Sequence, residues 1–157
     1  KGWCMGGFRL GFAIGAEPII AALRQLKGVV DFNQSLSLQR AAIAALEKAP
    51  DWPKKNLEIY RKRRDITRDA LMRLGWDLPN PSMALYLWMP IPYFAKQRGL
   101  SDEDLVAELL EQTGVALTPG SGFGSGGEGW LRLALVRPVE ELEEAVSRIG
   151  KWWHAQN

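Results

Sequence analysis

Two segments of the chain alternate apolar and polar positions with the period of a β-strand. In residues 8–14, every second side chain is aromatic or aliphatic, and Arg9 lies on the opposite face among small residues. In residues 130–136, the leucines at 131, 133 and 135 share one face, and Arg132 lies opposite them between Trp130 and Ala134. Both patterns predict a strand from which one guanidinium projects.

Most of the remaining chain has helical spacing. Pro18 suits the first turn of a helix whose apolar stripe is Ile19, Ile20, Leu23 and Leu26. The predicted helices cover residues 18–28, 38–46, 54–74, 101–114 and a C-terminal segment from Leu142 to Trp153. Ser101 and Asp104 form a capping-box pattern, and the face of Leu105, Val106, Leu109 and Leu110 is predicted to be buried.

Two short apolar runs predict further strands. Residues 84–90 are apolar on both faces, which predicts a strand covered on both sides, and residues 115–117 predict a shorter one. Strands and helices mixed along one chain indicate an α/β fold.

Composition limits the possible functions. The chain has 157 residues, 46% apolar and 24% charged, as in ordinary globular proteins, and its formal net charge of +2 is too small to indicate a nucleic-acid or membrane partner. No apolar run approaches the roughly 20 residues that span a bilayer. One cysteine excludes an intramolecular disulfide and fits a reducing compartment, so we expect a cytoplasmic protein. With one histidine and one cysteine, no metal site is predicted.

Three features suggest chemistry but leave alternatives open. Lys1 is either a solvated residue or a nucleophile, and Arg9 is either a surface charge or an anion ligand. The glycine-rich segment 118–129 lacks the Gly-Lys-Ser/Thr ending of a phosphate loop and precedes a strand, which argues against nucleotide binding. Arg132, central in an apolar strand, needs a partner, which is either a core carboxylate or a ligand.

The order of these motifs resembles the class I/II, fold-type I aminotransferases that depend on pyridoxal 5′-phosphate. Lys1, Met5 and the run Gly-Phe-Arg-Leu-Gly of residues 7–11 match the family's lysine region. The run 86–88 resembles the first strand of the small domain. Pro119-Gly120, Phe123-Gly124 and then Arg132 match the loop and arginine that follow. The resemblance covers essentially the whole chain.

The resemblance implies a role for each matched residue. Lys1 would form the Schiff base with pyridoxal 5′-phosphate and act as the general base and acid, Arg9 would bind the cofactor phosphate, and Arg132 would bind the substrate α-carboxylate. It also implies the α/β fold of the pyridoxal-phosphate-dependent transferases. Residues 1–35 would end the large cofactor-binding domain, 36–75 would form interdomain helices, and 76–157 the small C-terminal domain. The family is homodimeric, and residues 33–35 would lie near the partner's active site.

Within the family, the sequence looks most like diaminopimelate and succinyl-diaminopimelate aminotransferases, with aspartate aminotransferases next. We therefore expect the transfer of an amino group between an amino acid and a 2-oxo acid. Lyases of the same fold share these residues and remain an alternative. We further expect an N-terminal part, carrying the remaining cofactor residues, without which the 157 residues are inactive. Two rivals are an inactive interaction protein and a nucleic-acid-binding module built on the basic run 61–64 with exposed tryptophans.

Overall fold

The structure, a computed structural model, describes residues Lys1 to Ala155. The chain divides into two compact units, Lys1–Glu58 and Ile59–Asn157. The six helices of the described part are α1 (Glu17–Val30), α2 (Leu36–Lys48), α3 (Trp52–Arg73), α4 (Tyr93–Gln97), α5 (Asp102–Thr113) and α6 (Val139–His154). Its three strands are β1 (Tyr86–Pro90), β2 (Thr118–Pro119) and β3 (Trp130–Ala134). All five predicted long helices are confirmed to within a few residues.

In the first unit, the predicted strand over residues 8–14 is wrong. Residues Gly6–Phe8 form a turn of 3₁₀-helix, Arg9 follows with a left-handed φ of 52°, and residues 9–16 belong to no helix or strand. A strand is stabilised by hydrogen bonds to a neighbouring strand, and within residues 1–155 no strand pairs with this segment.

Helices α1 and α2 also belong to the first unit. Pro18 lies in the first turn of α1, as predicted. The predicted apolar stripe is on the helix, but no residue of α1 or α2 is buried. Several large apolar side chains of these helices are exposed, including Ile19, Leu23, Leu26, Ile43 and Leu46.

The second unit is built on a three-stranded antiparallel sheet of order β1-β3-β2. The predicted face of β3 is confirmed, since Leu131, Leu133 and Leu135 are buried while Arg132 lies on the other face. Residues 84–90 were predicted to be covered on both sides. Instead, Leu87 and Met89 are buried and the opposite side chains of β1 are half-buried, because no element of residues 1–155 covers that face completely.

Helices α5 and α6 and the end of α3 supply the rest of the core. Leu71, Leu105, Leu109 and Ile149 are fully buried. Leu110 is half exposed, so the predicted buried face of α5 is narrower than the sequence indicated. Residues 115–117 form no strand, and the short strand β2 begins at Thr118, where the chain first pairs with β3.

The tryptophans of the second unit mainly pack inside it. Trp76, Trp152 and Trp153 are buried, and the rings of Trp76 and Trp153 lie 5.3 Å apart. They are therefore not available to stack on nucleic-acid bases. Among residues 1–155, none of the helices combines the length and the apolar character that a bilayer-spanning helix requires.

Candidate active site

The segment from Lys1 to Arg9 folds into successive tight turns. The Lys1 carbonyl accepts a hydrogen bond from the Cys4 amide at 3.0 Å, and the Gly6 carbonyl accepts one from the Arg9 amide at 3.3 Å. The side chains of Lys1 and Arg9 are both exposed. A Cβ atom placed on Gly6 would lie 4.0 Å from the Lys1 Nζ, so the missing side chain leaves space beside the amine. We refer to residues 1–9 as the lysine loop.

A residue that the sequence did not single out anchors the lysine loop. Asn56 on α3 is 6% exposed. Its Nδ2 donates to the carbonyl oxygens of Lys1 at 3.4 Å and Gly2 at 3.2 Å, and its Oδ1 accepts from the Cys4 Sγ at 3.2 Å. A buried amide that uses both its donor and its acceptor side holds the chain directly at Lys1.

The guanidinium of Arg132 lies on the half-buried face of the sheet. Trp88 of β1 and Thr118 of β2 are its neighbours in the strand register, and the Thr118 Oγ1 accepts a hydrogen bond from Nη2 at 3.3 Å. The Arg132 Cζ lies 4.5 Å from the centroid of the Tyr86 ring and 4.7 Å from that of Phe123. Aromatic rings in these positions stabilise a cation and restrict its rotation.

The Arg132 guanidinium has hydrogen-bonding capacity that the protein leaves unused. Its Nε is buried and has no hydrogen-bond partner within residues 1–155. Nor does any carboxylate of the described chain form a salt bridge with it. Of the two partners that the sequence left open, a core carboxylate is therefore not the partner of Arg132 within the described residues.

The glycine-rich segment is folded tightly against the start of β3. A Cβ atom on Gly120 would overlap the Gly127 carbonyl oxygen and lie 2.7 Å from the Trp130 carbonyl oxygen. Only glycine permits this approach of one backbone to another. We refer to residues 120–129 as the glycine loop. It carries Phe123 to the Arg132 side chain and to Trp88, whose ring centroid lies 5.7 Å away.

Asp102, the first residue of α5, is a buried carboxylate that no sequence motif marks. Burial raises its pKa, but hydrogen bonds from Ser121 and Gly129 outweigh that effect and leave the pKa below the ordinary value of 3.8. Asp102 is therefore ionised at neutral pH. The only signal in the sequence was an acidic residue in the first turn of a helix, which is too common to single it out.

The structure places the three predicted site residues in two locations. Lys1 and Arg9 lie on the lysine loop of the first unit, and Arg132 lies on β3 of the second. The described residues contain no group of three or more histidine, cysteine, aspartate or glutamate side chains that could hold a metal ion.

Comparison with known proteins identifies the class to which this arrangement belongs. A sequence model of the family "Aminotransferase class I and II" matches residues 1–149. The chain belongs to that family, whose members depend on pyridoxal 5′-phosphate. The predicted fold class and cofactor are thereby confirmed.

The more particular resemblance is to diaminopimelate aminotransferases. The chain is 37% identical over 152 residues to the LL-diaminopimelate aminotransferase of Dehalococcoides mccartyi, covering 97% of the chain and 38% of that protein. It is 40% identical over 150 residues to the Nitratidesulfovibrio vulgaris enzyme, covering 96% and 38%. The chain thus spans little more than a third of the length of these relatives.

Solved structures of aminotransferases are also similar to the chain. A probable N-succinyldiaminopimelate aminotransferase from Thermus thermophilus has a TM-score of 0.83 at 41% identity, over 96% of the chain and 39% of that structure. A double mutant of the aspartate aminotransferase from the same organism has a TM-score of 0.85 at 28% identity, over 96% and 38%. The similarity therefore extends through both units of the chain.

The residues of the lysine loop fit the phosphate and aldehyde groups of the family's cofactor. Lys1 presents a primary amine beside the unsubstituted Gly6. Arg9, eight residues on, presents a guanidinium that no acid of the described chain neutralises. An amine can bond covalently to an aldehyde, and a guanidinium binds phosphate with two parallel hydrogen bonds.

Proposed function

We propose that the full-length protein is a pyridoxal-phosphate-dependent aminotransferase that moves an amino group between an amino acid and a 2-oxo acid. The observation that carries the proposal is the guanidinium of Arg132. It lies in an apolar strand, its Nε is buried without a partner, and no acid within residues 1–155 forms a salt bridge with it. Such a group is costly unless a ligand supplies the missing acceptor.

The proposed role of Arg132 is to bind the substrate α-carboxylate. A carboxylate offers two oxygens, which match two parallel N–H donors of the guanidinium. Contacts with Tyr86 and Phe123 and the hydrogen bond to Thr118 orient the side chain before the substrate arrives. Orientation fixed in advance reduces the entropy lost on binding and directs the labile bond of the substrate.

The proposed roles of Lys1 and Arg9 concern the cofactor. Pyridoxal phosphate, when bound, stabilises the negative charge that develops at the substrate α-carbon. The Lys1 Nζ would hold the cofactor, and the free amine would remove and return the proton of the substrate α-carbon. Arg9 would hold the cofactor phosphate through charge-assisted hydrogen bonds. Asn56 fixes the backbone from which Lys1 projects.

The relatives described above favour a diaminopimelate-type substrate, because two of them are named LL-diaminopimelate aminotransferases. We further propose that the enzyme is a homodimer of the cytoplasm. The exposed apolar side chains of α1 and α2 would then be covered by the rest of the polypeptide and by the partner subunit.

The substitution Arg132→Lys in the full-length protein tests the proposal. Lysine keeps the charge but loses the planar fork, and a charge-assisted hydrogen bond contributes about 1.5–3 kcal/mol, so kcat/KM for the amino acid should fall roughly a hundredfold. The matched control is Arg137→Lys, because Arg137 is exposed and pairs with Glu141. Amino transfer would be measured with LL-diaminopimelate and with aspartate, each against a panel of 2-oxo acids.

The outcomes separate the candidate functions. An aminotransferase converts the 2-oxo acid into its amino acid, and the Arg132 variant loses this activity while the Arg137 variant keeps it. Elimination without amino-group transfer would indicate the lyase alternative. An active wild-type protein with indistinguishable Arg132 and Arg137 variants would contradict the role of Arg132.

A further inference from the structure

We propose that Asp102 is a positioning residue for Arg132. Its buried carboxylate ties both ends of the glycine loop to the first turn of α5, and the loop in turn holds the Arg132 guanidinium in the orientation that binds a carboxylate. The inference rests on the proposed function only for the role of Arg132.

The contacts of Asp102 are directed at the loop. The side chain is 3% exposed, its Oδ2 accepts from the Ser121 amide at 2.7 Å, and its Oδ1 accepts from the Gly129 amide at 3.3 Å. No cation of the described chain forms a salt bridge with it. Backbone amides of the loop and the N-terminal end of α5 therefore stabilise its charge.

The two amides belong to opposite ends of the glycine loop. Ser121 is the second residue of the loop, and Gly129 directly precedes β3, on which Arg132 lies. One carboxylate thus closes a loop that has no regular strand or long helix of its own. Glu103 adds a second contact to the same end, through its Oε1 and the Ser121 Oγ at 3.3 Å.

The loop reaches Arg132 through Phe123. The Phe123 ring lies 4.7 Å from the Arg132 Cζ and 5.7 Å from the ring of Trp88, which faces Arg132 in the strand register. The Phe123 ring is itself about half exposed, so its position depends on the backbone of the loop as well as on these two contacts. If the loop loosens, the ring moves away and the guanidinium gains rotational freedom. Freedom gained by a binding group lowers its affinity for the ligand.

Asp102 has no capping role that would explain its burial. The N-cap of α5 is Ser101, whose Oγ accepts from the Asp104 amide at 3.1 Å, while Asp104 accepts from the Ser101 amide at 3.2 Å. This capping box satisfies the helix terminus without the Asp102 side chain. Asp104 is exposed and does not contact the loop, so it provides a matched control on the same helical turn.

The test compares Asp102→Asn with Asp104→Asn in the full-length holoenzyme. Asparagine presents an N–H group to one of the two loop amides, so that hydrogen bond is lost. We expect KM for the amino acid to rise about tenfold with a smaller change in kcat, since misplacing a positioning group by about 1 Å can cost up to about a hundredfold. Amide hydrogen exchange at Ser121 and Gly129, measured without substrate, should accelerate. Asp104→Asn should change neither quantity.

A second variant keeps the inference testable if Asp102→Asn does not fold. Phe123→Ala removes a half-exposed ring and should raise KM by a similar factor. An unchanged KM in Phe123→Ala would overturn the inference. So would values of KM and of amide hydrogen exchange in Asp102→Asn that equal those of Asp104→Asn. If Arg132→Lys is still impaired, the proposed function survives that result. If Arg132→Lys is also unimpaired, the proposed function itself fails.

Discussion

Replacing Asn56 with alanine tests whether this residue of α3 fixes the lysine loop through its hydrogen bonds. The substitution removes two hydrogen bonds to the carbonyl oxygens of Lys1 and Gly2 and one from the Cys4 thiol. It leaves the helical backbone of α3 intact, because alanine is a strong helix former. The expected effect is a looser lysine loop in a protein that still folds.

The geometry determines the size of the effect. Donor–acceptor distances of 3.2 and 3.4 Å lie at or beyond the long end of the usual range, and a thiol is a weak donor. A net hydrogen bond contributes about 0.5–1.5 kcal/mol, and three bonds at the lower value give a loss of about 1.5 kcal/mol. That loss corresponds to about a tenfold change in an equilibrium constant.

Two assays measure the effect of Asn56→Ala on stability and on cofactor binding. Urea unfolding should show a free energy of unfolding lower by about 1.5 kcal/mol. Absorbance titration with pyridoxal phosphate should show the cofactor bound up to about tenfold more weakly, because part of the binding free energy now orders the loop. Asn80→Ala is the control, since Asn80 is exposed. Equal cofactor affinity in the Asn56 and Asn80 variants would contradict a role for Asn56 in holding the lysine loop.

Two further predictions concern the second unit. Gly120→Ala should lower the free energy of unfolding by about 3 kcal/mol or more, because its Cβ would overlap backbone atoms. Gly126→Ala is the control and should change the free energy of unfolding by no more than about 0.5 kcal/mol, since a Cβ there meets no atom. Similar values for the two variants in urea unfolding would contradict the packing of the glycine loop. Because the pKa of Asp102 is lower in the folded protein, its contribution to stability is present above pH 3.8 and is lost as pH falls below it. The difference in the free energy of unfolding between wild type and Asp102→Asn should therefore become smaller as the pH is lowered to about 3. A difference that stays constant with pH would contradict this prediction.

Local signals were enough to predict most elements of the fold. The helix ends were readable because glycine and capping residues act within a few positions, as with Gly114, which ends α5 with a φ of 69°. The strand β3 was readable because its leucines alternate with Arg132. Residues 8–14 show the same alternation and form no strand. A strand requires hydrogen bonds from a neighbour, which a sequence pattern does not specify.

The supporting residues of the candidate site were harder to predict. Arg9 and Arg132 were selected because a guanidinium among apolar neighbours is unusual in any context. Asn56 and Asp102 act on backbone groups that are distant in sequence, so no motif accompanies them. Asn56 did leave one signal, since it shares a helical face of α3 with the buried Thr67 and Leu71. The large majority of buried side-chain amides are hydrogen-bonded.

The most direct test of the central claim is to find where the cofactor attaches. The full-length protein would be incubated with pyridoxal phosphate, reduced with borohydride, digested and analysed by peptide mass spectrometry. We expect a phosphopyridoxyl group on Lys1 and none on Lys54 or Lys55, which are exposed on α3. An unmodified Lys1 in a folded sample, or equal labelling of all three lysines, would contradict it.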